Sequence, residues 1–300
     1  VVLCARERLY EGETLAEHSI RQPDPFLEIR VHEANIAPGL TGVCAGYEAG
    51  EWRADHCARH LTEWLPEFAL TQSERDSVGP HNAVSIVAKA AQTVYTSRKY
   101  DRRGEIGELL LHVLLRQVFD TVPAVSKWYF KDAANDTVKG FDAVHVIASA
   151  GGLELWLGEA KFYNDISRAI ADVVDEMQKH TGRDYLRGEF AAITRKIEDG
   201  WPHSDRLKRL LHPNTSLDEI FDAVCIPALL SYNSPTVAAH SEVSEAYEAA
   251  FRGEVERHRD AFAQRTLPNV RVHLFLFPLG SKRTLMDCFD RRLRLCQGLA

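Results

Sequence analysis

Gly140-Phe141-Asp142-Ala143-Val144-His145 and, a short way on, Gly158-Glu159-Ala160-Lys161 bring two carboxylates and an ammonium into one small region of the chain. Phe141 to Ile147 and Leu153 to Phe162 read as strands, and Ala148 to Gly152 between them reads as the turn of a β-hairpin. Side chains alternate across a strand, so Glu159 and Lys161 share a face with Leu153, Leu155 and Leu157, and Asp142 shares one with Val144 and Val146. Each apolar stripe thus ends in charge. With the hairpin closed, Asp142 comes up to Glu159 and Lys161 at one end of the sheet, and all three are expected at a sheet edge. Two carboxylates so placed repel unless a cation lies between them. Mg²⁺ and similar hard cations take a couple of carboxylates, waters and substrate phosphate oxygens. The chemistry this implies is metal-assisted displacement at phosphorus. Lys161 would orient or deprotonate the attacking water, or stabilise the phosphate in the transition state.

A third carboxylate lies upstream, where Gly104 to Leu115 reads as the start of an apolar helix. Glu105, Glu108 and His112 fall at i, i+3 and i+7 on one face of it. Acids in a first turn are favoured by the helix dipole whatever else they do. Glu108 is the stronger candidate because it sits inside the apolar run, with Glu105 as the alternative; His112 is near the site by helical phase. His145 falls on the strand face opposite Asp142 and reads as a packed histidine.

The order of helix acid, strand aspartate, then Glu-x-Lys on the next strand resembles the PD-(D/E)xK restriction-endonuclease-like superfamily. Within it, Gly104 to Glu108, the Ser126 to Lys131 segment read as a strand, Gly140 to His145 and Leu155 to Tyr163 resemble the HamA nuclease family of the Hachiman anti-phage system. The resemblance runs from about Tyr100 to the C-terminus, and more loosely over Trp64 to Leu70. Phe141 stands where the superfamily has a proline before the aspartate. The resemblance implies a metal-dependent DNA nuclease using Mg²⁺ or Mn²⁺, with Asp142, Glu159 and Glu108 as metal ligands and Lys161 beside the attacking water. It also implies a helicase partner, HamB, that holds the nuclease inactive until aberrant or invading DNA is engaged.

The expected fold is α/β: a restriction-endonuclease-like mixed central sheet flanked by helices in residues 98–300, with an N-terminal α+β region in residues 1–97 that serves as a partner-docking module or as a flank of the sheet. In the N-terminal region Phe26 to Val31 reads as a strand, Ala54 to Leu65 and Asn82 to Tyr95 as helices, and Ala37-Pro38-Gly39 as a turn. Further on, Asp165 to Ile197 reads as one long helical region, followed by a loop around Pro202 and Pro213. Phe221 to Tyr232 and Val270 to Phe277 read as buried strands, and Ser241 to Gln264 and Thr284 to Leu295 as helices. Continuous apolar strands of this kind suit a sheet covered on both faces.

A chain of 300 residues with 45% hydrophobic and 26% charged residues has the composition of a globular protein with ample core. No apolar run approaches transmembrane length and no signal peptide opens the sequence, so no membrane association and a cytoplasmic location are expected. A net charge of -7 excludes a generally basic nucleic-acid grip, leaving local clusters for phosphate contact: Arg98-Lys99 with Arg102-Arg103, Lys127 with Lys131, and Arg206 with Lys208-Arg209. The six cysteines form no C-x-x-C pair, and Cys57 with His60 and Cys44 lacks a fourth ligand at zinc spacing, so reduced thiols are expected. Two other classes compete with an enzyme. One is a catalytically silent nuclease-fold subunit that binds nucleic acid or a partner protein, which the intact acid, acid and lysine set disfavours. The other is a plain hairpin with Glu159 and Lys161 as an exposed cross-strand pair, which the neighbouring Trp156, Leu157, Phe162 and Tyr163 disfavour.

Overall fold

Runs such as Ala223 to Leu230 carry no polar alternation, so both of their faces need cover. The computed structural model, which describes residues 22–94, 104–125, 140–149 and 152–298, meets that need with a seven-stranded sheet between two helical layers, beside a small two-stranded ribbon. The described elements begin with strands β1 (Glu28–Glu33), β2 (Gly39–Cys44), β3 (Tyr47–Glu48) and β4 (Glu51–Trp52). Helices α1 (Ala54–Glu63), α2 (Leu65–Ala69), α3 (Gln72–Asp76), α4 (Ala83–Val94) and α5 (Glu105–Phe119) follow. Next come β5 (Val122–Val125), β6 (Ala143–Ser149) and β7 (Gly152–Phe162), then α6 (Ile166–His180), α7 (Arg183–Lys196), α8 (Ser204–Leu210) and α9 (Leu217–Ala223). The chain ends with β8 (Val224–Asn233), α10 (Pro235–Ala239), α11 (Glu245–Ala263), β9 (Arg271–Leu279) and α12 (Lys282–Gln297).

Seven strands form a mixed sheet in the order β1-β2-β9-β8-β7-β6-β5. The pairs from β2 through β9 and β8 to β7 are parallel, and β1/β2, β7/β6 and β6/β5 are antiparallel. One face, with Val144, Val146, Leu155 and Leu157, packs against Ala169, Ile170, Val173 and Met177 of α6 and against Phe251 and Val255 of α11. The other, with Ala143, Trp156 and Phe162, packs against α5 through Leu109, Leu110 and Leu111, and against α1 and α12. β1 and β2, from the N-terminal residues, complete the same sheet beside β9.

Several expectations need correction. β2 was unread because it is buried along its whole length, leaving no alternation to see, and Gly42 lies where a Cβ would crowd Phe251 at 3.1 Å. The long helical region is two helices, because α6 stops at Thr181 and Gly182 starts α7 in extended conformation. The loop around Pro202 contains α8, and Leu217 to Ala223 is helical before β8 begins. The expected strand Ser126 to Lys131, the basic residues Arg98, Lys99, Arg102, Arg103, Lys127 and Lys131, and Cys4 lie outside the described residues. The five described cysteines are free thiols.

Histidines are buried within this frame. His145 on β6 takes Thr121 Oγ1 at 2.7 Å and His112 Nδ1 at 3.2 Å, and His273 on β9 takes Thr41 Oγ1 at 2.7 Å. Burial pushes both His145 and His273 down to about 3. A folded pKa below the unfolded value means that acid favours the unfolded chain. The stability is whole above the unfolded value of about 6.5 and drains as pH falls toward about 3. From pH 7.5 to pH 5 each of these two histidines should cost about 2 kcal/mol, read as a falling urea midpoint. His145→Gln should flatten that fall, and an equally steep decline in the variant would remove His145 from the account.

Candidate active site

The hairpin register pairs Ala143 with Gly158, and the pairing continues one step beyond the strand: Asp142 N–H donates to Gly158 O at 2.7 Å. Asp142 therefore lies opposite Glu159. Its Oδ2 accepts the Ala160 N–H at 2.9 Å, which fixes one oxygen of the carboxylate. Gly158 itself permits a close approach, since a Cβ there would meet Leu111 Cδ2 at 2.6 Å and Ala143 Cβ at 3.1 Å. At Gly140 the backbone is left-handed, φ 144°, and the Glu189 carboxylate fills the space a side chain would need.

On β7, Glu159 and Lys161 point to the face that α6 covers, and only 1% of Glu159 and 7% of Lys161 is exposed. These values exclude the exposed cross-strand pair. They also overturn the expected sheet edge, because β7 is paired on both sides, with Glu159 beside Ala228 and Lys161 beside Leu230 of β8. What makes burial tolerable is the supply of partners. Lys161 Nζ donates to Glu176, and His180 Nδ1 bonds Glu159. Burial pulls the Lys161 ammonium down, but the hydrogen bond to Glu176 and the charges of Asp142, Glu176 and Glu159 outweigh it and leave its pKa raised. Lys161 is therefore a cation at neutral pH. For His180, burial outweighs the pull of Glu176, Asp142 and Glu189, so the ring is held neutral and its Nδ1–H donates to the Glu159 carboxylate. Tyr185 stacks on that ring at 4.4 Å and 11°, and Phe141 meets it edge-on at 5.3 Å.

Glu176 and His180 were missed in the sequence, and a signal for them exists. Asp165 caps α6 by accepting the Arg168 N–H at 2.7 Å. Ala169, Ile170, Val173 and Met177 then form the buried stripe. Glu176 and His180 continue that stripe at i+3 and i+7 from Val173, which makes them polar residues at core positions of an amphipathic helix.

The other candidates fall as follows. Glu105 and Glu108 occupy the first turn of α5, which starts on the opposite face of the sheet; a Cβ on Gly107 would meet Phe162 Cβ at 3.1 Å and Ala160 Cβ at 3.5 Å. His112 does not reach the acids and lysine but bonds His145 under that same opposite face. Arg206 Nη2 donates to Ser149 O at 3.0 Å and Gly152 O at 2.8 Å, so it clamps the hairpin turn. Lys208 pairs with Asp199 at 2.6 Å. Among the described residues no three His, Cys, Asp or Glu side chains are set out together to hold a metal ion. Asp142 and Glu159 alone offer the oxygen donors that a Mg²⁺-type ion takes from protein, one or two carboxylates with the remaining positions left to water and phosphate. Their donor chemistry fits such an ion.

A seven-stranded mixed sheet flanked by helices is a nuclease-like α/β architecture. The chain belongs to the HamA family of Hachiman anti-phage defence, whose family model matches residues 23–293. No curated protein matches the chain. Among the described residues no helix is long and apolar enough to cross a membrane.

Because the ammonium is the shared counter-charge of three acids, Lys161→Met should destabilise the protein at pH 7.5. The expected cost is roughly 2 kcal/mol, less than for a fully enclosed pair because Glu176 is half-exposed. Thermal melts of both proteins check this, and equal stability would mean that the carboxylates do not depend on Lys161.

Proposed function

We propose that this protein is a metal-dependent DNA nuclease, the effector subunit of a Hachiman defence complex, held in check by a helicase partner of the HamB type. The observation that carries the reading is a buried lysine, kept charged, on the same face as two acids that meet in register across the hairpin. A structural hairpin gains nothing from enclosing such a group, whereas phosphodiester hydrolysis needs fixed positive charge where negative charge develops.

Asp142 and Glu159 are the residues that would hold a Mg²⁺ or Mn²⁺ ion, whose chemistry when bound is to polarise the phosphate and lower the pKa of a water. Glu108, or Glu105, is proposed as a further oxygen donor from α5. Lys161 orients or deprotonates the attacking water, or stabilises the charge that builds on the phosphoryl oxygens. Family membership supports the defence setting. The N-terminal residues 1–97 are proposed as the helicase-docking flank; β1 there pairs only with β2 among the described residues.

The test is cleavage of supercoiled and linear DNA with Mg²⁺, with Mn²⁺ and with EDTA, in the presence and absence of the helicase. Wild type should cut only with metal, and the helicase should suppress it. Asp142→Asn and folded Lys161→Met should each lose activity by about a hundred-fold or more. Full activity in folded Lys161→Met would remove the lysine from the chemistry, and a wild type inert under every condition would favour a nucleic-acid-binding subunit.

A further inference from the structure

The last residues of β7, with Tyr163 just after it, and the length of α6 form a polar ladder. Glu159 meets His180, Lys161 meets Glu176, and Tyr163 OH donates to Asp172 at 2.9 Å. The rungs step by two residues along the strand and by four, in the reverse direction, along the helix. Two strand residues rise about 6.6 Å and four helix residues about 6.0 Å, so an antiparallel strand and helix stay in step over three rungs. Two of the rungs end on candidate catalytic side chains, and the third does not.

Resting on the nuclease reading above, we infer that His180 and Glu176 are positioning residues of the active site: His180 aims the Glu159 carboxylate and Glu176 aims the Lys161 ammonium. His180 meets Glu159 at Oε1, and Ala160 N–H donates to Oδ2 of Asp142. The imidazole is locked in turn by the Tyr185 stack and the Phe141 edge. Glu176 is bonded through Oε2 to Nζ and is itself partly open to solvent. Support of this kind from behind a ligating carboxylate governs both its orientation and its affinity for metal.

The experiment measures Mn²⁺ binding to the full chain by calorimetry beside DNA-cleavage kinetics, with circular dichroism to confirm folding. His180→Ala should weaken Mn²⁺ binding by about 10- to 100-fold, while His180→Asn, whose amide N–H can donate from near the Nδ1 position, should stay within about threefold of wild type. Glu176→Gln should leave Mn²⁺ binding unchanged and lower kcat about tenfold or more at saturating metal, with KM little altered. Asp172→Ala cuts the third rung and should move neither quantity. Unaltered Mn²⁺ binding in folded His180→Ala, or equal losses in Asp172→Ala and His180→Ala, would overturn the inference and reduce the ladder to packing. A wild type that binds no Mn²⁺ would fail the metal reading itself, and the positioning roles would fall with it.

Discussion

An ammonium buried under a helix is the constraint around which this protein is arranged. Taking Lys161 out of water is costly, and only the acids gathered around it offset the loss. That gathering sets the structure nearby: the hairpin must place Asp142 level with Glu159, and α6 must run antiparallel to β7 so that Glu176 reaches Nζ. The apolar stripe of α6 supplies the adhesion, and the polar continuation of the stripe supplies the register. A helix shifted by one turn along β7 would keep much of its apolar contact but leave charges unmatched, so the ladder specifies one docking among several that hydrophobicity alone would accept.

The sheet also separates two kinds of polar burial. On the α6 face the buried groups carry charge and gather at a strand end. On the α5 face the groups buried beside β6 are neutral imidazoles, His145 against Thr121 and His112, which donate and accept within the core. One strand serves both, since Asp142 and His145 differ in parity along β6. Gly158, with no side chain, lets Leu111 of α5 close onto the sheet directly behind the acids, so the charged face is backed by dense apolar packing.

What could be read from the sequence follows from what leaves a local pattern. The hairpin, its turn and the shared face of Glu159 and Lys161 are period-two facts, and the register of β6 and β7 agrees with them. The burial of that face is not local: it depends on β8, which begins at Val224, and on the way α6 folds back. Hence Lys161 looked like an edge residue and is an interior one. β2 was unreadable because cover on both sides erases alternation. Glu176 and His180 leave a weaker signal because the apolar positions define the amphipathic helix, and the informative residues here are the polar ones on that same stripe. His112 shared a helical face with Glu105 and Glu108, but a helix of this length reaches from the strand end into the core, so phase alone did not decide its neighbours.

The contacts of the site are short in sequence. Tyr163 and Asp172 lie 9 residues apart, Lys161 and Glu176 15, Asp142 and Ala160 18, and Glu159 and His180 21, whereas Thr41 reaches His273 across 232. Closing small loops costs little chain entropy and happens early, while the pairing of β2 with β9 must wait for nearly the whole chain. The ladder is thus a device of assembly as well as of geometry: a hairpin and the helix after it can find their mutual alignment by local search, and the distant N-terminal strands then close a sheet whose charged strand end is already in register.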